Sequence, residues 1–188
     1  CFAPIVKVVT ENFGLEQGMM TTVHAYTNNQ ALLDSEHKDP RRGRAAAINI
    51  IPTSTGADKV IVKIYPELKG KLRGIALRVP VPTVSLLDFT WTSTQELSVE
   101  KINSAFLQAS QKDLSGILDY STEPLVSSDL VGSPYSCIID SQMTLAQGAQ
   151  GTMGKVFGWY DNEFGYSCQV HRVLEQMAGV TYAVYPKD

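Results

Sequence analysis

Leu72-Arg73-Gly74-Ile75-Ala76-Leu77-Arg78-Val79-Pro80-Val81-Pro82-Thr83-Val84-Ser85-Leu86-Leu87-Asp88-Phe89-Thr90-Trp91-Thr92 reads as two strands broken at Pro80-Val81-Pro82. Working outward, Gly18 to Tyr26 is rich in Thr, Met and Val and predicts a strand behind turns at Gly14 and Gly18. Ile117 to Tyr120, Ser136 to Thr144 and Lys155 to Tyr160 read as further strands, and Gln147 to Gly154 as a turn or loop. Strands therefore come in a long block with helices set among them, without regular βαβ alternation. That predicts an α+β fold: a largely antiparallel or mixed sheet with helices on one face.

Ser98 to Gln111 is the clearest helix. Ser98 can cap it, Glu100 suits its first turn, and Val99, Ile102, Ala105, Phe106 and Ala109 form one apolar stripe. A last helix is expected from about Glu163 to Met177, with Val170, Val173, Leu174 and Met177 on its inner face, and Ala183 to Asp188 reads as a tail. Ile5 to Val9 is a short apolar run, and Ala45 to Ile51 is another that ends at Pro52.

The bulk numbers describe an ordinary globular chain of 188 residues, 44% apolar and 19% charged. A net charge of −3 gives no global basic field for nucleic acid. No apolar run approaches the roughly 20 residues that a membrane-spanning helix needs. Cys1, Cys137 and Cys168 are odd in number and widely spaced, which suits free thiols, and no CxxC, HExxH or His-rich cluster offers a metal site. The chain opens Cys-Phe-Ala-Pro without an initiator Met, so it is expected to be part of a longer polypeptide.

Three features carry chemistry. His24 follows a strand-like run and precedes the polar loop Tyr26-Thr27-Asn28-Asn29-Gln30, where an imidazole can trade protons and Thr27 can meet an anion; the plain alternative is a satisfied structural histidine. Thr53-Ser54-Thr55-Gly56-Ala57-Asp58-Lys59 reads as a hydroxyl-bearing loop entering a helix to about Tyr65, an anion seat or simple N-capping. Arg78 lies in the apolar run Ile75 to Val79, where a guanidinium needs a partner or an anion. From Thr27 to Arg44 the chain is polar, charged and interrupted by Pro40, a long loop of the kind that serves sites and interfaces. His37 and His171 show no partners by spacing and read as structural or surface groups, and no GxGxxG fingerprint for a dinucleotide is present.

Four segments, in order, carry a family resemblance: Cys1-Phe2-Ala3-Pro4; Thr21 to Gln30 with His37-Lys38-Asp39-Pro40-Arg41-Arg42-Gly43-Arg44; Asn49-Ile50-Ile51-Pro52-Thr53-Ser54-Thr55-Gly56; and Trp159-Tyr160-Asp161-Asn162-Glu163-Phe164-Gly165-Tyr166-Ser167. With Arg78-Val79-Pro80 and Leu125-Val126-Ser127-Ser128-Asp129 between them, the chain closely resembles the C-terminal catalytic domain of phosphorylating glyceraldehyde-3-phosphate dehydrogenases. The resemblance implies a catalytic domain over residues 1–178, a tail over 179–188, and an N-terminal Rossmann NAD-binding domain that is not in this chain.

It also implies a glycolytic oxidoreductase in which a cysteine thiolate attacks the aldehyde, hydride passes to a nicotinamide, and inorganic phosphate cleaves the thioester to 1,3-bisphosphoglycerate. His24 matches the catalytic base, Thr27 and Arg78 the substrate-phosphate site, Thr55 and Gly56 the inorganic-phosphate site, and Asn162 and Tyr166 the nicotinamide contacts. Tyr166 is equally readable as buried core packing. The family motif Ser-Cys-Thr-Thr-Asn-Cys-x-Ala-Pro uses its first cysteine as nucleophile; Cys1 matches the second, so the fragment alone is expected to be inactive. Arg41, Arg42 and Arg44 with Asp34 and Asp39 match a loop that crosses a subunit interface, which implies a homotetramer. Ser35-Glu36 stands where NAD-preferring relatives have Leu-Pro; the Glu36 carboxylate should repel a 2′-phosphate, so NAD is expected, with NADP the alternative. The implied compartment is the cytoplasm, with the plastid as alternative. Two other readings stay open: an erythrose-4-phosphate dehydrogenase, and a non-catalytic phosphate-binding or assembly module.

Overall fold

The computed structural model describes residues 1–147 and 151–180. In chain order its elements are α1 (Phe2–Phe13), β1 (Leu15–Ala25), β2 (Ile51–Ser54), α2 (Ala57–Ile64), β3 (Leu72–Val79), β4 (Ser85–Ser93), α3 (Val99–Gln111), β5 (Leu118–Ser121), β6 (Cys137–Asp140), β7 (Leu145–Ala146), β8 (Met153–Tyr160) and α4 (Phe164–Met177). The described strands form one mixed sheet in the order β2-β3-β1-β4-β8-β6-β5, with β7 also paired to β8. Pairing is antiparallel except for β1 with β3 and β5 with β6. The predicted α+β class and mixed sheet hold.

Two consecutive strands of the opening stretch are not neighbours. β1 lies between β3 and β4, parallel to the first and antiparallel to the second. β2 closes the edge beyond β3, where Pro52 costs no ladder bond that the sheet needs. Thr53 and Ser54, read from the sequence as loop, belong to this edge strand.

Register puts Met20, Phe89 and Val156 side by side across three strands, and the same face carries Leu87 and Ile139. These residues merge with Ile5, Val6 and Val9 of α1, Ile61 of α2, and Ile102 and Phe106 of α3 into one buried core. Each such side chain contributes about 1.5–3 kcal/mol on burial, so this layer decides which sheet face the helices cover. α1 itself replaces the bare apolar run expected over Ile5 to Val9. Its β-branched residues favour strands, but burial at Phe2, Ile5, Val6, Val9 and Phe13 follows the helical period. Gly14 ends it with φ of 68°, and a Cβ there would stand 2.2 Å from Thr94 Oγ1. α3 is as predicted, with the Ser98 hydroxyl accepting from the Lys101 N–H at 3.2 Å.

The inner-face assignment for the last helix is overturned. α4 buries Gly165 and Cys168, whereas Val170, Val173, Leu174 and Met177 are exposed, Met177 by 79%. Helical spacing reveals that a stripe exists but not whether these residues contain what covers it. The sheet face opposite the helices is likewise open, with Met19, Ile75, Leu145 and Met153 exposed. Of the turn or loop predicted over Gln147 to Gly154, residues 148–150 lie outside the described residues, and Gly154 is already in β8. The predicted tail from 183 also lies outside them.

Candidate active site

The parallel pairing of β1 with β3 sets His24 directly beside Arg78, although 54 residues separate them. Below them in the same register stand Thr22 and Ala76, side chains too small to fill the space above the helices. The result is a cavity of about 390 Å³ whose wall includes His24, Arg78, Thr55 and Gly56, with Cys1 at its α1 end. Antiparallel β2 carries the chain back to this spot, so the entrance of α2 opens onto the cavity. Thr55 Oγ1 accepts from the Ala57 N–H at 3.2 Å, so the N-capping reading describes one bond this hydroxyl makes.

His24 is half-buried. Its Nδ1 lies 2.6 Å from the Ala25 carbonyl oxygen and 2.7 Å from Arg78 Nη1, which also donates to that oxygen at 3.0 Å. Burial pushes the imidazole below its ordinary range; the Ala25 hydrogen bond opposes this, the Arg78 charge adds to it, and a bond with Asn162 opposes it again. The ring is therefore neutral at neutral pH and able to accept a proton. Among the described residues, no carboxylate pairs with Arg78 and no Asp or Glu lines the cavity. A half-buried guanidinium in such surroundings can hold an anion.

Thr27 and Asn162 line a second cavity, of about 520 Å³, beside the first. Thr27 is thus near the His24 pocket but not in its wall. The amide of Asn162, in the wall of the second cavity, also reaches His24. Asn162 is positioned by Asp161, which is buried and accepts from the N–H groups of Gly132, Glu163 and Phe164, each at 2.9 Å. Tyr166, in the first turn of α4, is 69% exposed and lines neither cavity, so its reading as core packing is wrong.

The sequence reading missed two site residues. Arg42, assigned with the interface loop, turns inward: its Nε donates to Thr53 Oγ1 and its Nη1 to Asn29 Oδ1, both at 2.7 Å, and it lines the His24 cavity. Its charge helps burial lower the Arg78 value. Nothing in a run of three arginines says which one points in. Arg44, by contrast, pairs with Asp34 within the loop at 3.0 Å. The second is Tyr160, whose ring meets that of His24 edge-on at 6.0 Å and whose hydroxyl burial pushes up to about 12. Its motif was noted, but its facing came only from the pairing of β8 with β4.

Among the thiols, Cys1 donates to the Gly158 carbonyl at 3.6 Å, and Cys137 is fully buried, with burial pushing its thiol up to about 12. The Cys137 thiol is therefore not an activated nucleophile. No group of three or more potential metal ligands occurs among the described residues. His37 and His171 keep local partners, the Asp39 backbone and Glu175.

A family profile described as Glyceraldehyde 3-phosphate dehydrogenase, C-terminal domain, matches residues 1–162. The chain is 55% identical over 170 residues to glyceraldehyde-3-phosphate dehydrogenase 1 of Bacillus subtilis, covering 90% of this chain and 50% of that protein. It is 53% identical over 167 residues to glyceraldehyde-3-phosphate dehydrogenase 2 of Streptomyces avermitilis, covering 89% and 49%. With the glyceraldehyde-3-phosphate dehydrogenase of Geobacillus stearothermophilus it shares 53% over 178 residues, covering 95% and 52%. The chain thus spans about half the length of the curated relatives it matches. A profile match that runs through the His24–Arg78 pair as far as Asn162, with identities above one half, means that this chain belongs to the glyceraldehyde 3-phosphate dehydrogenase family, of which it carries the C-terminal domain.

Proposed function

We propose that this chain supplies the proton-accepting and anion-binding half of a phosphorylating glyceraldehyde-3-phosphate dehydrogenase. The reaction converts glyceraldehyde 3-phosphate, inorganic phosphate and NAD to 1,3-bisphosphoglycerate, NADH and a proton, as a step of glycolysis and gluconeogenesis. The observation that carries the reading is the pairing, in one cavity wall, of a neutral imidazole with a guanidinium that no described carboxylate pairs: His24 with Arg78 at 2.7 Å.

In this scheme neutral His24 accepts the proton of the attacking thiol and returns it to the oxyanion formed at the carbonyl carbon, so the ring is neutral again when it takes the hemiacetal hydroxyl proton as hydride leaves. Arg78, the Arg42 charge behind it, and the hydroxyl and backbone N–H groups at Thr55 and Gly56 hold phosphate oxygens. Thr27 extends this anion surface toward the second cavity. None of Cys1, Cys137 and Cys168 is the proposed nucleophile of this scheme.

A nicotinamide supplies the hydride acceptor. Asn162 fits it, since its amide offers both a donor and an acceptor at the cavity edge, and the exposed ring of Tyr166 offers a stacking face. NAD is the proposed form, with NADP the alternative, because exposed Glu36 carries a charge that disfavours a 2′-phosphate. A homotetramer is the proposed assembly, and the open apolar sheet face with Met19, Ile75, Leu145 and Met153 supports self-association. No described helix is long and apolar enough to cross a membrane, and the proposed compartment is the cytoplasm, with the plastid as alternative.

The test is His24→Asn in the full-length enzyme, expected to slow acylation by about 10²- to 10⁴-fold. Single-turnover acylation at the native rate overturns the role. Arg78→Ala should weaken phosphate-bearing substrate far more than non-phosphorylated glyceraldehyde, and equal losses overturn the anion site.

A further inference from the structure

The environment of His24 Nδ1 contains a conflict. Ala25 O, at 2.6 Å, is an acceptor only and calls for a proton on Nδ1. Arg78 Nη1, at 2.7 Å, is a donor only and calls for a lone pair on the same atom. Both cannot be served. Nη1 also reaches Ala25 O at 3.0 Å, so the guanidinium can satisfy the carbonyl and the ring together, provided Nδ1 is bare.

We propose that an oxyanion bound by Arg78 decides which nitrogen of His24 carries the proton, so that anion occupancy and the availability of the base are coupled. This rests on the reading of Arg78 as an anion-binding residue. Without an anion, the guanidinium bonds Nδ1 and Ala25 O, and the neutral ring keeps its proton on Nε2. In that tautomer Nε2 cannot accept a proton. An oxyanion that draws Nη1 away removes the donor from Nδ1 and leaves Ala25 O without its own. One proton then leaves Nε2 for solvent and one from solvent adds to Nδ1, which donates to Ala25 O. The lone pair moves to Nε2, and the ring becomes a base only when the phosphate site is filled. Arg78 is in this respect a positioning residue for His24.

The other groups around the ring do not supply this control. Tyr160, from β8, is held protonated by burial and packs edge-on; Asn162, beyond β8, bonds the ring too, but its amide can donate or accept and so follows either tautomer. Ser85, from β4, is occupied with the Ala25 N–H at 3.1 Å. Arg42, from the loop, acts on Arg78 rather than on the ring, and Cys1 points its thiol at Gly158 O. Among the described side chains only that of Arg78 bonds Nδ1, and no described carboxylate pairs with it.

The experiment is ¹⁵N NMR of the imidazole nitrogens in the histidine-labelled chain, at a pH above the imidazole range, titrated with inorganic phosphate. Backbone amide shifts of Thr55 and Gly56 report binding separately. The expected result is that His24 begins with Nε2 protonated and that phosphate changes the tautomer ratio by about tenfold or more, the equivalent of one charge-assisted hydrogen bond. Arg78→Met should show Nδ1 protonated without phosphate and no response to it. If that variant does not fold, the native titration decides alone. Amide shifts that saturate while the tautomer stays fixed overturn the coupling and leave the anion site standing. Absence of any amide shift overturns the anion site and the coupling with it.

Discussion

Asp161→Ala should loosen the site without unfolding the domain. The buried carboxylate accepts three N–H groups, from Gly132, Glu163 and Phe164, all at 2.9 Å. Bonds to an ionised acceptor are worth about 1.5–3 kcal/mol each, which would give roughly 4–9 kcal/mol if they were additive and irreplaceable. Neither condition holds. Gly132, Glu163 and Phe164 are exposed residues, so water can re-engage their N–H groups once the carboxylate is gone. The expected loss is therefore about 2–4 kcal/mol, within the roughly 5–15 kcal/mol by which domains are stable. With a urea slope of about 2 kcal/mol per molar, the midpoint should fall by on the order of 1–2 M with the slope unchanged. Asp161→Asn can keep the Oδ1 acceptor for Glu163 and Phe164 but turns an amide donor toward the Gly132 N–H, so about half the loss is expected. Denaturation followed by tryptophan fluorescence measures both variants. Equal midpoints for Ala and native protein, or an Asn variant worse than Ala, would refute the claim that this carboxylate holds the segment bearing Asn162.

Gly14→Ala places a Cβ 2.2 Å from Thr94 Oγ1 at a φ of 68° and should cost about 1–3 kcal/mol by urea titration; Thr94→Ala in the same chain should recover only part, because the left-handed backbone remains. Stability should fall as pH drops through the imidazole range. His24 has a folded value below its unfolded one, so the unfolded chain binds the proton first; the stabilising contribution is full above about 6.5 and is lost below it, toward the lowered folded value. His24→Gln should flatten that part of the profile, and an unchanged slope counts against the assignment. Native alkylation with iodoacetamide near neutral pH should modify Cys1 well before Cys137, whose thiol is fully buried and pushed up to about 12. Equal labelling by peptide mass spectrometry would contradict this.

Much of the fold was legible because strands advertise themselves twice, by residue type and by their bounding prolines and glycines. α1 was not, since Ile5, Val6, Val8 and Val9 favour extended backbone individually, and only the shared core with α3 and the sheet selects the helix. The α4 stripe was visible, but its cover was not. At the site, His24, Thr55, Gly56 and Arg78 could be named one by one from local chemistry and family motif, and one cavity gathers all four. That Arg78 touches Nδ1, that Arg42 faces inward while Arg44 does not, and that Tyr160 meets the ring edge-on all depend on register and loop path. Those are properties of pairings across dozens of residues, which no short window contains.

The adjacency of His24 and Arg78 is written into main-chain hydrogen bonds between β1 and β3, not into the segment that joins them. That segment is exposed around Leu32 and Leu33. A protease nick there would leave the ladder intact, and the two pieces should stay associated with the imidazole and guanidinium still in place. A single-residue deletion inside β1 or β3 is a different matter: it would turn one partner to the opposite side of the sheet and dismantle the pair without touching either side chain.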